Sequence, residues 1–218
     1  MSGQERFPEK KRKRVTKGMK VSEEMKMTLE ELGGLIKFIS EFYTIKRTPR
    51  TGWGRAGVPI KITESVGEHE SAVNKIGFLL AEREGVNTGK VLEMLTWHDT
   101  SETRTGDIHE VAKRYLETVE PTSRAFEDQI RNLPERIGQK ILELVREMRF
   151  GDSPEAIVAR DADLLEAALQ AKIYQEAGYK NTKAWLESAE RQVQTDFAKR
   201  LLKEVRRMKN FTAPGWED

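Results

Sequence analysis

Apolar residues in this chain recur at intervals of three and four, and nowhere do they alternate with polar ones over the length of a strand. That period places side chains on one face of an α-helix, whereas a half-buried strand needs a period of two. Helix starts are marked as well. Thr28 and Glu31 have the spacing of a capping box, with Met27 and Leu32 placed to staple it, and Leu35, Ile36, Ile39, Phe42 and Tyr43 continue the stripe. Ser65 with Glu68 opens a second helix, whose face is Val73, Ile76 and Leu80 and which runs to about Glu84. A third starts near Asn87 and carries Val91, Leu92 and Leu95 up to Trp97; Asp107 with Glu110 reads as a further cap, for a helix through Val111 and Tyr115. Helices are expected over about 123–132 and 134–148, then from Ser153-Pro154 to near Gly178, and finally over about 182–208. The fold class read from this pattern is all-α: one bundle of about eight helices over 21–210, with a basic disordered arm at 1–20 and a tail at 211–218.

A length of 218 residues suits one domain with a real core. Hydrophobic residues make up 37% and charged ones 34%, so a periodic interior comes with a heavily charged surface. No apolar run approaches the roughly 20 residues of a membrane span, and no apolar stretch follows the N-terminal basic residues as a secretory signal would require. The absence of cysteine excludes disulfides, thiolate nucleophiles and thiolate metal sites, and the expected compartment is the cytoplasm. The net charge of +2 is local: residues 9–20 read EKKRKRVTKGMK, and the rest is slightly acidic. This arm reads as a solvated tail ahead of a nucleic-acid contact.

Residues 46–63 interrupt the helices with Pro49, Gly52, Gly54, Gly57 and Pro59, a loop of the length that often carries function. Of three histidines, His69 shares the inward face of Val73, Ile76 and Leu80, and His98 follows Leu95 by three with Asp99 as its neighbour. Each alone reads as a core histidine. Together, a buried imidazole and a buried His-Asp pair need a common partner, and a divalent metal relieves the cost of burying them. Nitrogen and oxygen ligands favour Mn, Co, Ni, Fe or Zn over Ca. A further carboxylate should close the site. Helical projection places Asp161 among Ile157, Leu164 and Ala168, and Asp163 with Arg160 and Glu166 on the more polar side, so periodicity alone selects Asp161. Glu102 follows Asp99 by three and His98 by four, which aims it at the same spot if the helix continues; otherwise it is a surface acid beside Arg104.

The order His69, His98-Asp99, then Asp in a helical chain resembles the HD-domain metal-dependent phosphohydrolases, most closely the branch that contains the 5′-deoxynucleotidases. The segments that carry the resemblance are ESVGEH (64–69), WHDTSETRTGDI (97–108) and ARDADLLEA (159–167), within about residues 30–205. It implies a single HD domain and a divalent transition metal held by His69, His98, Asp99 and Asp163, because Ala162-Asp163-Leu164-Leu165 matches the family's small-residue–Asp–x–Leu pattern. It also implies that Glu102 is the general acid/base that protonates the leaving O5′. Asp107 would contact a sugar hydroxyl besides capping a helix, and Arg47 would approach the phosphate. His109 is left as a surface or supporting residue. Where the family has a tryptophan beside that arginine, this chain has Thr48, with Trp53 further along the loop as a wall that swings in. The implied substrate is a nucleoside 5′-monophosphate and the implied assembly a homo-oligomer, a dimer, with no membrane or nucleic-acid partner. Two other readings stay open: a different HD chemistry, on cyclic nucleotides or dNTPs, and a non-catalytic nucleic-acid-binding module that uses the basic arm.

Overall fold

The structure is a computed structural model that describes residues 27–116, 119–209 and 211; the basic arm and the end of the tail lie outside them. Among the described residues no sheet forms, and the only extended pairing is a single antiparallel bridge between Pro49 and Ser65. The helices are α1 (Leu29–Phe42), α2 (Gly52–Arg55), α3 (Val66–Glu84), α4 (Thr88–Trp97), α5 (Glu102–Thr105), α6 (Glu110–Lys113), α7 (Val119–Ile130), α8 (Glu135–Phe150), α9 (Pro154–Glu176), α10 (Lys183–Gln192) and α11 (Asp196–Arg207). Of these, α2, α5 and α6 are single turns, so the long loop and the expected helix after Asp107 contain only short pieces of helix.

Four of the expected starts are present. Thr28 and Glu31 cap α1 reciprocally, Ser65 and Glu68 do the same for α3, Asn87 caps α4, and Ser153 caps α9 with Pro154 behind it. Gly85 ends α3 at φ 71°, the left-handed conformation a side chain would resist.

The centre is α9, which packs against α3, α4, α8, α10 and α11. Its Ala156, Ala159, Ala162, Ala168 and Ala171 are fully buried, and these small side chains let neighbouring helices approach from several sides. The expected face of α3 is in place: His69, Val73 and Leu80 have no exposed surface, and Ile76 packs beside them. At Gly77 an added Cβ would lie 2.2 Å from Leu95 Cδ1, which marks how close α3 runs to α4.

Two expectations are corrected. The stripe on α1 was expected to face the core, yet Leu32, Ile36, Ile39 and Tyr43 are exposed, Ile36 by 66%. Leu35, Phe38 and Phe42 turn inward instead, against Trp97, Phe126, Ile130 and Ile141. The helix has apolar residues on two faces, and the one carrying Phe38 is buried against α7 and α8. The last helix, expected as one piece over 182–208, breaks between Gln192 and Asp196. Asp161, fully buried, accepts from the backbone N–H groups of Gln194 at 2.8 Å and Thr195 at 2.7 Å, diverting them from helix bonds, and Thr195 then caps α11.

Candidate metal centre

Three helices bring the four candidate ligands together. His69 comes from the second turn of α3, His98 and Asp99 from the end of α4, and Asp163 from the middle of α9. His69 Nε2 lies 3.1 Å from Asp163 Oδ1 and 3.6 Å from Asp99 Oδ2, and His98 Nε2 lies 3.2 Å from the same Asp99 oxygen. Both Nε2 atoms are buried and neither has a hydrogen bond. Two orphaned imidazole nitrogens facing carboxylate oxygens is the arrangement a divalent cation satisfies, so the donor set fits a metal. Asp161 is excluded from the cluster by its bonds to Gln194 and Thr195, and Asp163 takes the place that helical projection alone had assigned to it.

The electrostatics are those of a site waiting for positive charge. Burial and the Arg50 charge oppose protonation of His69, but Asp163 and Glu166 outweigh them and push its pKa up to about 10. Burial opposes protonation of His98 too, and Asp99 and Asp163 push it up to about 9. Asp99 and Asp163 are held below the usual carboxylate range, against burial, chiefly by His98 and His69 respectively. A cation would stand where these protons stand.

Glu102 opens α5 beside this cluster, with one buried carboxyl oxygen that has no hydrogen-bond partner. Burial first, then Asp99 and Asp107, push its pKa up to about 9. That direction favours the protonated carboxyl, the state a proton donor needs.

The arginine at the site is Arg50, not Arg47. Arg47 ends a 3₁₀ turn (Tyr43–Arg47) with its side chain in solvent. Past it, Arg50 N–H donates to Glu64 O at 3.0 Å and Val66 N–H to Thr48 O at 2.8 Å, which folds the loop back along the start of α3. Arg50 Nη1 thereby reaches within 3.4 Å of Asp99 Oδ2. Burial opposes the guanidinium charge, but Asp99, Asp163, Asp107 and Glu102 hold its proton more firmly than usual. Two arginines three residues apart are equivalent in the sequence; the Pro49–Ser65 bridge separates them. Arg50→Ala is expected to lower kcat/KM for a phosphate ester about a hundredfold, and Arg47→Ala to leave it within twofold. Steady-state kinetics of the pair decides, and equal losses would return the role to Arg47.

Asp107 is also corrected in part. It caps no helix: His109 Nδ1 accepts from Ala112 N–H and caps α6. Asp107 Oδ2 instead accepts from Thr51 N–H at 2.6 Å, and its carbonyl accepts from Thr51 Oγ1 at 2.6 Å, so it anchors the loop that carries Arg50. Trp53 is packed in place in this structure. It is 2% exposed, its ring stacks on Trp185 at 4.9 Å and meets Tyr174 edge-on, and its Nε1 donates to Glu64 Oε1 at 2.8 Å.

Two clefts meet at the cluster. One, of about 610 Å³, is lined by Arg50, Trp53, Asp107, Leu164 and Trp185. The other, of about 550 Å³, runs past Phe126, Val145, Arg149 and Arg160, and both reach Asp99, Glu102 and Asp163. Three further acids here, Glu166 buried and Glu64 and Glu70 half-buried, were not assigned from the sequence. Glu166 and Glu64 lie behind His69, and Glu70 lies beside His98 and Asp99 with Oε1 unpartnered. For Glu166 a signal existed, since it follows Asp163 by three and shares its face.

A family model described as HD domain matches residues 42–206. Among curated proteins, 5′-deoxynucleotidase HDDC2 of Dictyostelium discoideum is 26% identical over 153 residues, 66% of this chain and 79% of that protein. The protein of the same name from Mus musculus is 28% identical over 144 residues, 66% of this chain and 71% of that one. Among solved structures, PH0347 protein from Pyrococcus horikoshii aligns with TM-score 0.68 and 29% identity, covering 80% of this chain and 99% of that one. A chain from Magnetospirillum magnetotacticum described as a predicted metal-dependent phosphohydrolase shares the fold at TM-score 0.65 and 20% identity, covering 82% and 92%.

Proposed function

The chain belongs to the HD-domain family, and from that premise we propose that it is a metal-dependent phosphohydrolase that removes the 5′-phosphate of nucleoside monophosphates. The observation that carries the reading is the pair of orphaned histidine nitrogens facing Asp99 and Asp163, with a Glu102 biased toward its protonated form and a cationic Arg50 at the edge. Relatives named 5′-deoxynucleotidase support the choice of substrate. His69, His98, Asp99 and Asp163 would hold Mn, Co, Ni, Fe or Zn, and such an ion makes hydroxide available near neutral pH and draws charge from the phosphoryl group.

The chain's own groups supply the rest. Arg50 sits where it offsets charge on the phosphoryl oxygens. Glu102 carries the proton that O5′ needs to leave as an alcohol, since an unprotonated alkoxide leaves poorly. Asp107 keeps its second carboxyl oxygen for a sugar hydroxyl while the first anchors Thr51. Trp53 and Trp185 form an aromatic side to the larger cleft, where the nucleoside would lie. No described helix is long and apolar enough to cross a membrane. The exposed stripe of Leu29, Leu32, Ile36 and Ile39 on α1, continued by Tyr43 just past its end, supports assembly into a homo-oligomer.

The test is phosphate release from matched dNMP, NMP, dNTP and cyclic nucleotides with each metal. Monophosphates are expected to be hydrolysed, with the deoxy form favoured about tenfold in kcat/KM, about 1.4 kcal/mol, because the walled cleft disfavours an added hydroxyl. Turnover confined to dNTPs or cyclic nucleotides would overturn the monoesterase reading.

A further inference from the structure

Behind His69 stands a set of groups that the reaction above does not use. Glu166 Oε2 is 2.5 Å from His69 Nδ1, while the ring's other nitrogen, Nε2, is the one facing Asp99 and Asp163. A carboxyl oxygen of Glu64, a ring nitrogen of His69 and a carboxyl oxygen of Glu166 all lie within 4.8 Å of one another. Glu64 Oε1 accepts from Trp53 Nε1 at 2.8 Å, and Glu64 N–H donates to the Tyr174 hydroxyl at 2.9 Å, which donates onward to the Ile62 carbonyl. Tyr174 and Glu166 belong to α9, the helix that also brings Asp163. One rigid helix therefore supplies a ligand carboxylate, the partner of a ligand imidazole, and an anchor for Glu64.

A carboxylate beside Nδ1 fixes the imidazole proton there and turns the Nε2 lone pair toward a cation. His98 has a different support, the carbonyl of Leu95 in its own helix at 2.8 Å from Nδ1. His69 is thus the ligand whose orientation depends on acids from elsewhere in the chain. At the far end of the same row, Trp53 is held by one polar bond, to Glu64, and lines the larger cleft.

We infer that Glu166 and Glu64 are positioning residues that hold the His69 imidazole on one side and the Trp53 indole on the other, coupling metal binding to the aromatic wall of the cleft. A cation at Nε2 polarises the ring and strengthens the Nδ1–H bond to Glu166. The altered charge on Glu166 is felt by Glu64, and through it by the indole N–H. By linkage the effect runs both ways, so an occupied cleft changes metal affinity by the factor with which metal changes affinity in the cleft. The inference rests on the reading of the cluster as a metal site.

Metal-stripped full-length protein titrated with Zn(II), which is diamagnetic, tests it by two readouts that need no turnover. Zinc affinity is measured by competition with a chromophoric chelator, and the Trp53 indole N–H resonance is followed by ¹H–¹⁵N NMR, assigned by its loss in Trp53→Phe. Glu166→Gln, which keeps an acceptor but not the charge, is expected to weaken zinc binding about 10–100-fold, and Glu166→Ala to weaken it further. The wild-type indole resonance is expected to move on zinc binding, and in Glu64→Gln to move by less than half as much. Zinc affinity unchanged in both Glu166 variants, or an indole resonance indifferent to bound zinc, overturns the inference while leaving the metal site standing. A wild-type chain that takes up no zinc overturns both.

Discussion

Asp163→Ala is expected to abolish metal binding and phosphate release together, leaving the melting temperature of the metal-free protein unchanged or raised. The side chain is 37% exposed and faces His69 Nε2, and its removal leaves no backbone group unpaired. The neighbouring Asp161→Ala should behave in the opposite way. That carboxylate is fully buried and accepts from two backbone N–H groups at the start of α11. Losing it strands both donors, each at about 1–3 kcal/mol, so a loss of roughly 2–6 kcal/mol in unfolding free energy is expected. The folded fraction should still take up one equivalent of metal. Metal analysis and denaturant titration of both variants separate the roles, and full metal content in Asp163→Ala would exchange them.

The second large effect concerns Glu102. Glu102→Gln replaces a half-buried carboxyl by a neutral amide of the same shape, so stability and metal content should hold while kcat falls about a hundredfold or more. The pH profile carries the sign. A group that works in its protonated form contributes below its pKa and is lost as pH rises through it. Burial, Asp99 and Asp107 hold that pKa up, at about 9 before a cation is counted, and a bound cation moves it down. Wild-type kcat should therefore decline on the basic side, and Glu102→Gln should lack that decline. A variant within a few-fold of wild type, with the basic limb intact, would leave the mechanism without its proton donor.

The parts of this molecule legible in its sequence are those set by local rules. Capping boxes at Thr28 and Ser65, the Ser153-Pro154 start and the inward face of α3 follow from neighbours three and four residues away, and the structure has all of them. His69 beside Asp99 was legible in the helical spacing, whereas Asp163 beside His69 was implied only by the family resemblance, since periodicity selects Asp161. What was not legible depends on contacts distant in the chain. Arg50 enters the site, and Arg47 does not, because the loop pairs with the start of α3. The last helix breaks because an acid 33 residues earlier captures its amides. The Trp53 ring is held by Glu64, Tyr174 and Trp185, none of which is near it in a helical projection. On α1, two apolar faces compete, and only the position of α7 and α8 decides between them.

A cation held by His69, His98, Asp99 and Asp163 is what would make this chain a phosphomonoesterase. The most direct test strips the purified protein with a chelator and adds back Mn(II) or Co(II) in steps while phosphate release from a 2′-deoxynucleoside 5′-monophosphate is recorded. Activity is expected to be absent in the stripped protein and to rise linearly to a plateau at one equivalent per chain. Hydrolysis that persists without metal, or that no metal restores in protein still folded, would contradict the account.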